Sequence, residues 1–138
     1  MTKVWFDDDM VELKIDVFDG TSKFSTKVYV GYESLDQAVR HLDVFKKHIN
    51  GGLFDLNFGV FGPEWANGAF HTRFHFAKPG RLFMTCKLQS DFSDFGNKNV
   101  ASEAKLYLQT EPALLDNFIA ELKSLNAKIT VEAHLEAI

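Results

Sequence analysis

The stretch AFHTRFHFAKPGRLFMTCKL, residues 69–88, alternates apolar and polar side chains twice, with a turn signal between the two runs. Phe70, Thr72, Phe74 and Phe76 fall on one side of an extended chain, and His71, Arg73 and His75 fall on the other. After Lys78-Pro79-Gly80-Arg81 the alternation resumes, with Leu82, Met84, Cys86 and Leu88 opposed to Phe83, Thr85, Lys87 and Gln89. A period of two places successive side chains on opposite faces of a strand, and proline followed by glycine suits a tight reversal. The stretch therefore predicts two adjacent antiparallel strands, each with one buried face.

The same period extends outward. Upstream, Phe54, Leu56, Phe58 and Val60 form another strand, joined by the turn-rich loop Gly62-Pro63-Glu64-Trp65-Ala66-Asn67-Gly68. Downstream, residues 91–100 read as the longest irregular segment, and Ser102, Ala104, Leu106 and Leu108 then return to strand spacing, with Glu103, Lys105 and Tyr107 outward. Near the start, Val11, Leu13, Ile15 and Val17, a turn at Asp19-Gly20, and Phe24, Thr26, Val28, Val30 and Tyr32 predict a hairpin. Two helices interrupt the strands. Leu35, Ala38, Val39, Leu42, Phe45 and Ile49 recur at helical steps, with Ser34 and Gln37 in capping-box spacing and Gly51-Gly52 as the stop. Leu114, Leu115, Phe118, Ile119, Leu122 and Leu125 make a second stripe after Thr110-Glu111-Pro112, where proline fits the first turn and threonine can cap. Ile129, Val131, Ala133 and Leu135 alternate once more and predict a last strand, placed to act as an edge or a dimer element.

The order strand, strand, helix, four strands, helix, strand has short connections and no strand-helix-strand repeat, so the predicted class is α+β. The simplest burial is a single antiparallel sheet of about six to seven strands, with both amphipathic helices on one face and the other face in water; a two-sheet sandwich is the rival. Residues 1–138 read as one domain. A chain of 15.7 kDa is expected to expose roughly 7,300 Å² when folded, enough to bury a core without disulfides or metals.

Composition excludes several classes. With 46% hydrophobic and 25% charged residues the chain lies outside the disordered range. No apolar run approaches the length of a transmembrane helix, so no membrane partner is expected. The formal net charge of −4, with no basic run longer than Lys46-Lys47, argues against nucleic acid. A single cysteine and the lack of a leader-like start favour a cytoplasmic location.

Chemistry-bearing motifs are few. His71 and His75 are too far apart to share one metal, because four residues of strand span roughly 13 Å and zinc ligands lie within about 2.1 Å of the ion. The remaining feature is a cationic stripe of His71, Arg73 and His75, extended by Lys87 and Lys105 from neighbouring strands, which can receive an acidic partner or be an ordinary solvated face. His41 and His48, two turns apart on the first helix, cannot share an ion either. Cys86 is in phase with the core and so inert. Asp7-Asp8-Asp9 and the Asp91, Asp94, Asn97 loop lack calcium-loop order. No Walker loop, nucleophile elbow, zinc-protease motif or paired Cys-x-x-Cys occurs, and neither cofactor nor metal is expected. Trp65, Phe92 and Phe95 stand in turn-rich loops, where they either anchor a partner or close the end of the core.

From Ala69 to Leu125 the chain runs strand, Pro-Gly turn, strand, loop, a strand ending Gln109-Thr110, and a helix of the Leu-x-x-Phe-Ile-x-x-Leu type. This order resembles the small WapI-type bacterial immunity proteins and related α+β proteins. The resemblance implies a cytoplasmic binder that neutralises a toxin by occluding it, and carries over no catalytic residues; the strand expected after residue 128 departs from its pattern. The expectation is a non-enzymatic protein-binding module that uses the polar sheet face and loop aromatics. The alternatives are a small-ligand-binding or hydrolytic domain, with a pocket between sheet and helices and Trp65, His71 and His75 at its mouth, and a homodimer through the C-terminal strand.

Overall fold

The computed structural model describes residues 1–138. Its elements in chain order are β1 (Thr2–Phe6), β2 (Met10–Phe18), β3 (Lys23–Gly31), α1 (Tyr32–Phe45), β4 (Leu53–Phe58), β5 (Ala69–Lys78), β6 (Arg81–Gln89), β7 (Ser93–Phe95), β8 (Lys98–Val100), β9 (Glu103–Thr110) and α2 (Pro112–Asn126). The class is α+β and every strand pair is antiparallel.

The strands do not form the expected single sheet. They divide into a three-stranded sheet β1-β2-β3, a four-stranded sheet β4-β5-β6-β9 and a two-stranded β7-β8 hairpin. The physical reason lies at Gly31, where β3 passes directly into α1, so the chain crosses the core before β4 begins and pairs with β5. The two larger sheets meet at a corner: the Gly68 N–H donates to the Lys27 carbonyl at 2.8 Å, and the Thr26 hydroxyl donates to the Gln89 carbonyl at 2.8 Å.

One hydrophobic core joins both sheets and both helices. Val11, Leu13, Ile15 and Val17 of β2 are buried, as are Phe74, Phe76, Leu82, Cys86 and Leu88 of the central pair. Phe45 seats α1 on the four-stranded sheet, its ring 5.1 Å from Phe76 and 6.0 Å from Phe74. Removing such rings from water stabilises the fold by about 1.5–3 kcal/mol each. From α2, Leu115, Phe118, Ile119, Leu122 and Leu125 complete the cluster.

Several boundaries differ from expectation. Helix α1 begins at Tyr32 without a side-chain cap, because the carbonyl of Asp9 accepts the Tyr32 N–H at 3.1 Å and Ser34 is already inside the helix. It ends at Phe45, and Gly51, with φ of +80°, closes the turn beyond it. Thr110 does not cap α2; it ends β9, and its hydroxyl donates to the Glu136 carbonyl at 2.6 Å. Residues 2–6 add a strand that sequence patterning misses, with Asp7 as its turn: the Asp7 carboxylate accepts the N–H groups of Asp9 and Met10 at 2.8 and 2.9 Å. Within residues 91–100, read as irregular, lies the β7-β8 hairpin around Gly96-Asn97.

The last strand predicted from 129–135 is absent. Ile129 and Val131 are exposed and only Ala133 and Leu135 of the alternating set reach the core, and only the pair Thr2 and Glu132 forms a bridge. The segment instead runs as a strap. Near β1 the Lys3 N–H donates to the Val131 carbonyl at 2.7 Å and the Ala133 N–H to the Met1 carbonyl at 2.9 Å; near β9 the Ile138 N–H donates to the Gln109 carbonyl at 2.8 Å.

Candidate functional site

The outer face of the four-stranded sheet carries most of the residues singled out from the sequence. Strand register arranges them in rows. Asn57, His71, Lys87 and Lys105 lie side by side; Asp55, Arg73, Thr85 and Tyr107 form the next row, and Leu53, His75, Phe83 and Gln109 the one after. The expected stripe of His71, Arg73 and His75, with Lys87 and Lys105 beside it, is therefore one continuous surface. Arg73, His75, Lys87 and Lys105 are exposed and His71 is partly so.

Asp55 organises the centre of this face. Its carboxylate accepts two hydrogen bonds from the Arg73 guanidinium, at 2.8 and 3.0 Å, and its Oδ1 lies 2.9 Å from His71 Nε2. The Arg73 hydrogen bonds, aided by His71, hold the carboxyl down at about 2. In return, Asp55 pushes Arg73 further up. A bidentate fork of this kind fixes the guanidinium plane. Lys87 is positioned differently, its ammonium 4.8 Å from the centre of the Phe61 ring, and Lys105 stands 5.7 Å from that of Tyr107. Asp55, Phe61, Phe83 and Tyr107 were not singled out from the sequence, although strand parity alone puts Phe83 and Tyr107 on this face. Side chains of Leu53, Phe83 and Tyr107 are exposed among the cations.

The loop aromatics lie toward one end of the same sheet. The 59–68 loop leaves β4 and enters β5 beside the point where β6 ends and β9 begins, because Ala69 pairs with Gln89 and Gln89 with Glu103. The Gly62 N–H donates to Gln89 Oε1 at 3.1 Å, tying this loop to β6. Trp65 is 53% exposed and Phe95, on the β7-β8 hairpin, 76% exposed, while Phe92 is half-buried. None of the three belongs to the core, so they do not close its end.

A second feature is a cleft of about 620 Å³ on the opposite, inner side of the four-stranded sheet. Its walls include Ile15, Phe70, Phe74, Met84, Leu108 and Phe118, and residues 133 and 135–138 of the strap contribute to its rim. This differs from the pocket expected from the sequence, because Trp65, His71 and His75 are not in its lining. His71 and His75 point to the other face of β5, by the same parity that buries Phe70, Phe74 and Phe76. Thr72 and Cys86 are the polar pair inside, with Oγ1 and Sγ 3.3 Å apart. Burial pushes the Cys86 thiol up to about 11, which leaves almost no thiolate at neutral pH.

No three His, Cys, Asp or Glu side chains converge as metal ligands. No helix is long and apolar enough to cross a membrane. Comparison with protein-family models, curated proteins and solved structures finds no match to this chain.

Proposed function

We propose that the chain is a non-enzymatic protein-binding module, immunity-like in the sense that it neutralises a toxin by covering it, and that the outer face of the four-stranded sheet is its contact surface. One observation carries the reading: an open face that interleaves Arg73, Lys87 and Lys105 with exposed Phe83 and Tyr107, on a chain whose net charge is −4. Interface centres favour aromatic side chains and arginine. Four strands of six to ten residues cover on the order of 27 by 19 Å, and the flanking loops with Trp65 and Phe95 extend this toward the roughly 800 Å² per partner of a standard interface. Because Asp55 already orients Arg73, little side-chain order remains to be lost on binding. The partner surface is acidic and contains apolar groups for the rings.

The reading is tested by affinity capture from a bacterial lysate, with the unmodified chain and a Lys105→Glu, Tyr107→Ala variant in parallel. A stoichiometric protein retained by the first and lost by the second supports it. No stoichiometric partner, or equal retention by both, overturns it.

The small-ligand alternative draws support from the inner cleft, which lies within the 300–1,000 Å³ range of ligand sites. Its hydrolytic form is weaker, since Cys86, the nucleophilic side chain lining that cleft, is protonated and buried. The homodimer alternative is weaker too, because backbone groups of residues 131 and 133 are already bonded within the chain.

A further inference from the structure

We infer that the inner cleft is a binding site for a small amphiphile with an apolar body and an uncharged or cationic head, and that residues 131–138 form its cover. The inference rests on the cleft alone and is independent of whether the outer face binds a protein. Ile15, Phe70, Phe74 and Phe118, each at most 3% exposed, form the floor of the space of about 620 Å³, and the more accessible Phe18, Met84, Leu108 and Leu135 form its walls. Protein interiors are otherwise packed at close to crystal density, and apolar spaces take up apolar molecules in preference to water. The depth of the cleft therefore selects hydrocarbon.

Its rim selects the head. Asp16, Asp19 and Glu136 are the charged side chains lining the cleft, and no lysine or arginine joins them. The amino group of Met1, at the same wall, donates to the Ala133 carbonyl at 2.8 Å and is the one cationic group set against these three carboxylates. The rim is therefore net acidic: a carboxylate head is repelled by it, a hydroxyl can hydrogen-bond to its carboxylates, and an ammonium is attracted.

The cover is tied firmly at its β1 end and more lightly at its β9 end. At β1 it is held through Val131 and Ala133, and at β9 through Glu136 and Ile138, so it spans from the edge of one sheet to the edge of the other. Ala133 is fully buried and Leu135 packs on the core, whereas Glu136 and Ile138 are exposed. Two bonds and no buried side chain hold residues 136–138, so this end opens without unfolding the sheets. Opening at the β9 end exposes the cleft.

The test is methyl-resolved NMR of the intact chain titrated with 1-decanol, decylamine and sodium decanoate. The Ile15, Met84 and Leu108 methyl resonances are expected to shift with the first two probes, with at least tenfold weaker binding of decanoate. Thr110→Val, which removes the hydroxyl bond to Glu136, is expected to raise the association rate several-fold. Leu108→Trp, which fills the cleft, is expected to abolish the shifts. Absence of shifts at these methyls in the unmodified chain, shifts confined to the outer face, or equal binding of decanoate would overturn the inference, whether or not the tryptophan variant folds. Lys105→Glu on the outer face leaves decanol binding unchanged, which separates this site from the protein-binding surface.

Discussion

Asp55 is the residue on which the outer face depends, because one carboxylate orients both Arg73 and His71. Its pKa is lowered from the ordinary 3.8 to about 2, chiefly by the Arg73 hydrogen bonds. A depressed acid contributes stability above its unfolded value and loses that contribution as pH falls toward the folded one. Asp55→Asn is therefore expected to destabilise the chain by roughly 1 kcal/mol at neutral pH, a modest value because the pair is partly solvated. In urea denaturation the gap between the two proteins should close between about pH 4 and pH 2. Cys86 gives a second expectation: alkylation by iodoacetamide at pH 8 should proceed only as fast as the chain unfolds, and modification within minutes in native buffer would contradict the burial of its thiol. At Gly68 the constraint is steric. A Cβ there would overlap the Thr26 hydroxyl and the Gln89 carbonyl at the corner of the two sheets. Gly68→Ala should cost about 2 kcal/mol or more, read as a lowered urea midpoint with unchanged slope. The alternation of residues 69–88 made His71, Arg73, His75 and Lys87 legible as one face, since that is a property of a single strand or hairpin. Asp55 was not legible, because its partnership with Arg73 lies eighteen residues away across a strand pair whose register the sequence does not state.

At the scale of elements, strands and helices with a clear apolar period appear where that period lies, and the discrepancies occur where another element supplies a bond. Ser34 is not the cap of α1 because the β1-β2 turn presents the Asp9 carbonyl to Tyr32. The β1 strand carries no apolar alternation, because Val4, Trp5 and Phe6 are all exposed and no face of it is buried; it is held by pairing with β2 and by the strap. For β7 and β8 a local signal did exist: Gly96-Asn97 is a two-residue hairpin turn flanked by short extended runs. The helices are also joined by charge. Lys46 reaches both Asp43 and Asp116, at 3.5 and 3.1 Å, while Lys123 of α2 reaches Asp43 at 2.8 Å. Hydrogen bonding from Lys123 lowers Asp43, and bonding to Asp116 raises Lys46. Such exposed pairs stabilise little, so Asp43→Asn is expected to change stability by under about 1 kcal/mol, with the difference shrinking in 1 M salt.

For the whole molecule, the accessible surface is 7945 Å², above the roughly 7,300 Å² expected for a smooth fold of this mass, as suits a body with a cleft between its two main sheets. The proposed interface has a matching signature in solution. Association through Arg73, Lys87 and Lys105 should slow as ionic strength rises, and the Lys87→Glu, Lys105→Glu pair should reduce the association rate by tenfold or more in surface plasmon resonance with the captured partner. Local periodicity alone determined the α+β class, the central β5-β6 pair, both helical stripes and the inert setting of Cys86, because each depends on neighbours within a few residues. Tertiary structure alone decided that the strands divide into separate sheets, that Asp55 holds Arg73, and that the last residues strap a cleft instead of forming an edge. Those outcomes depend on bonds between segments distant in sequence, which no local pattern of apolar residues encodes.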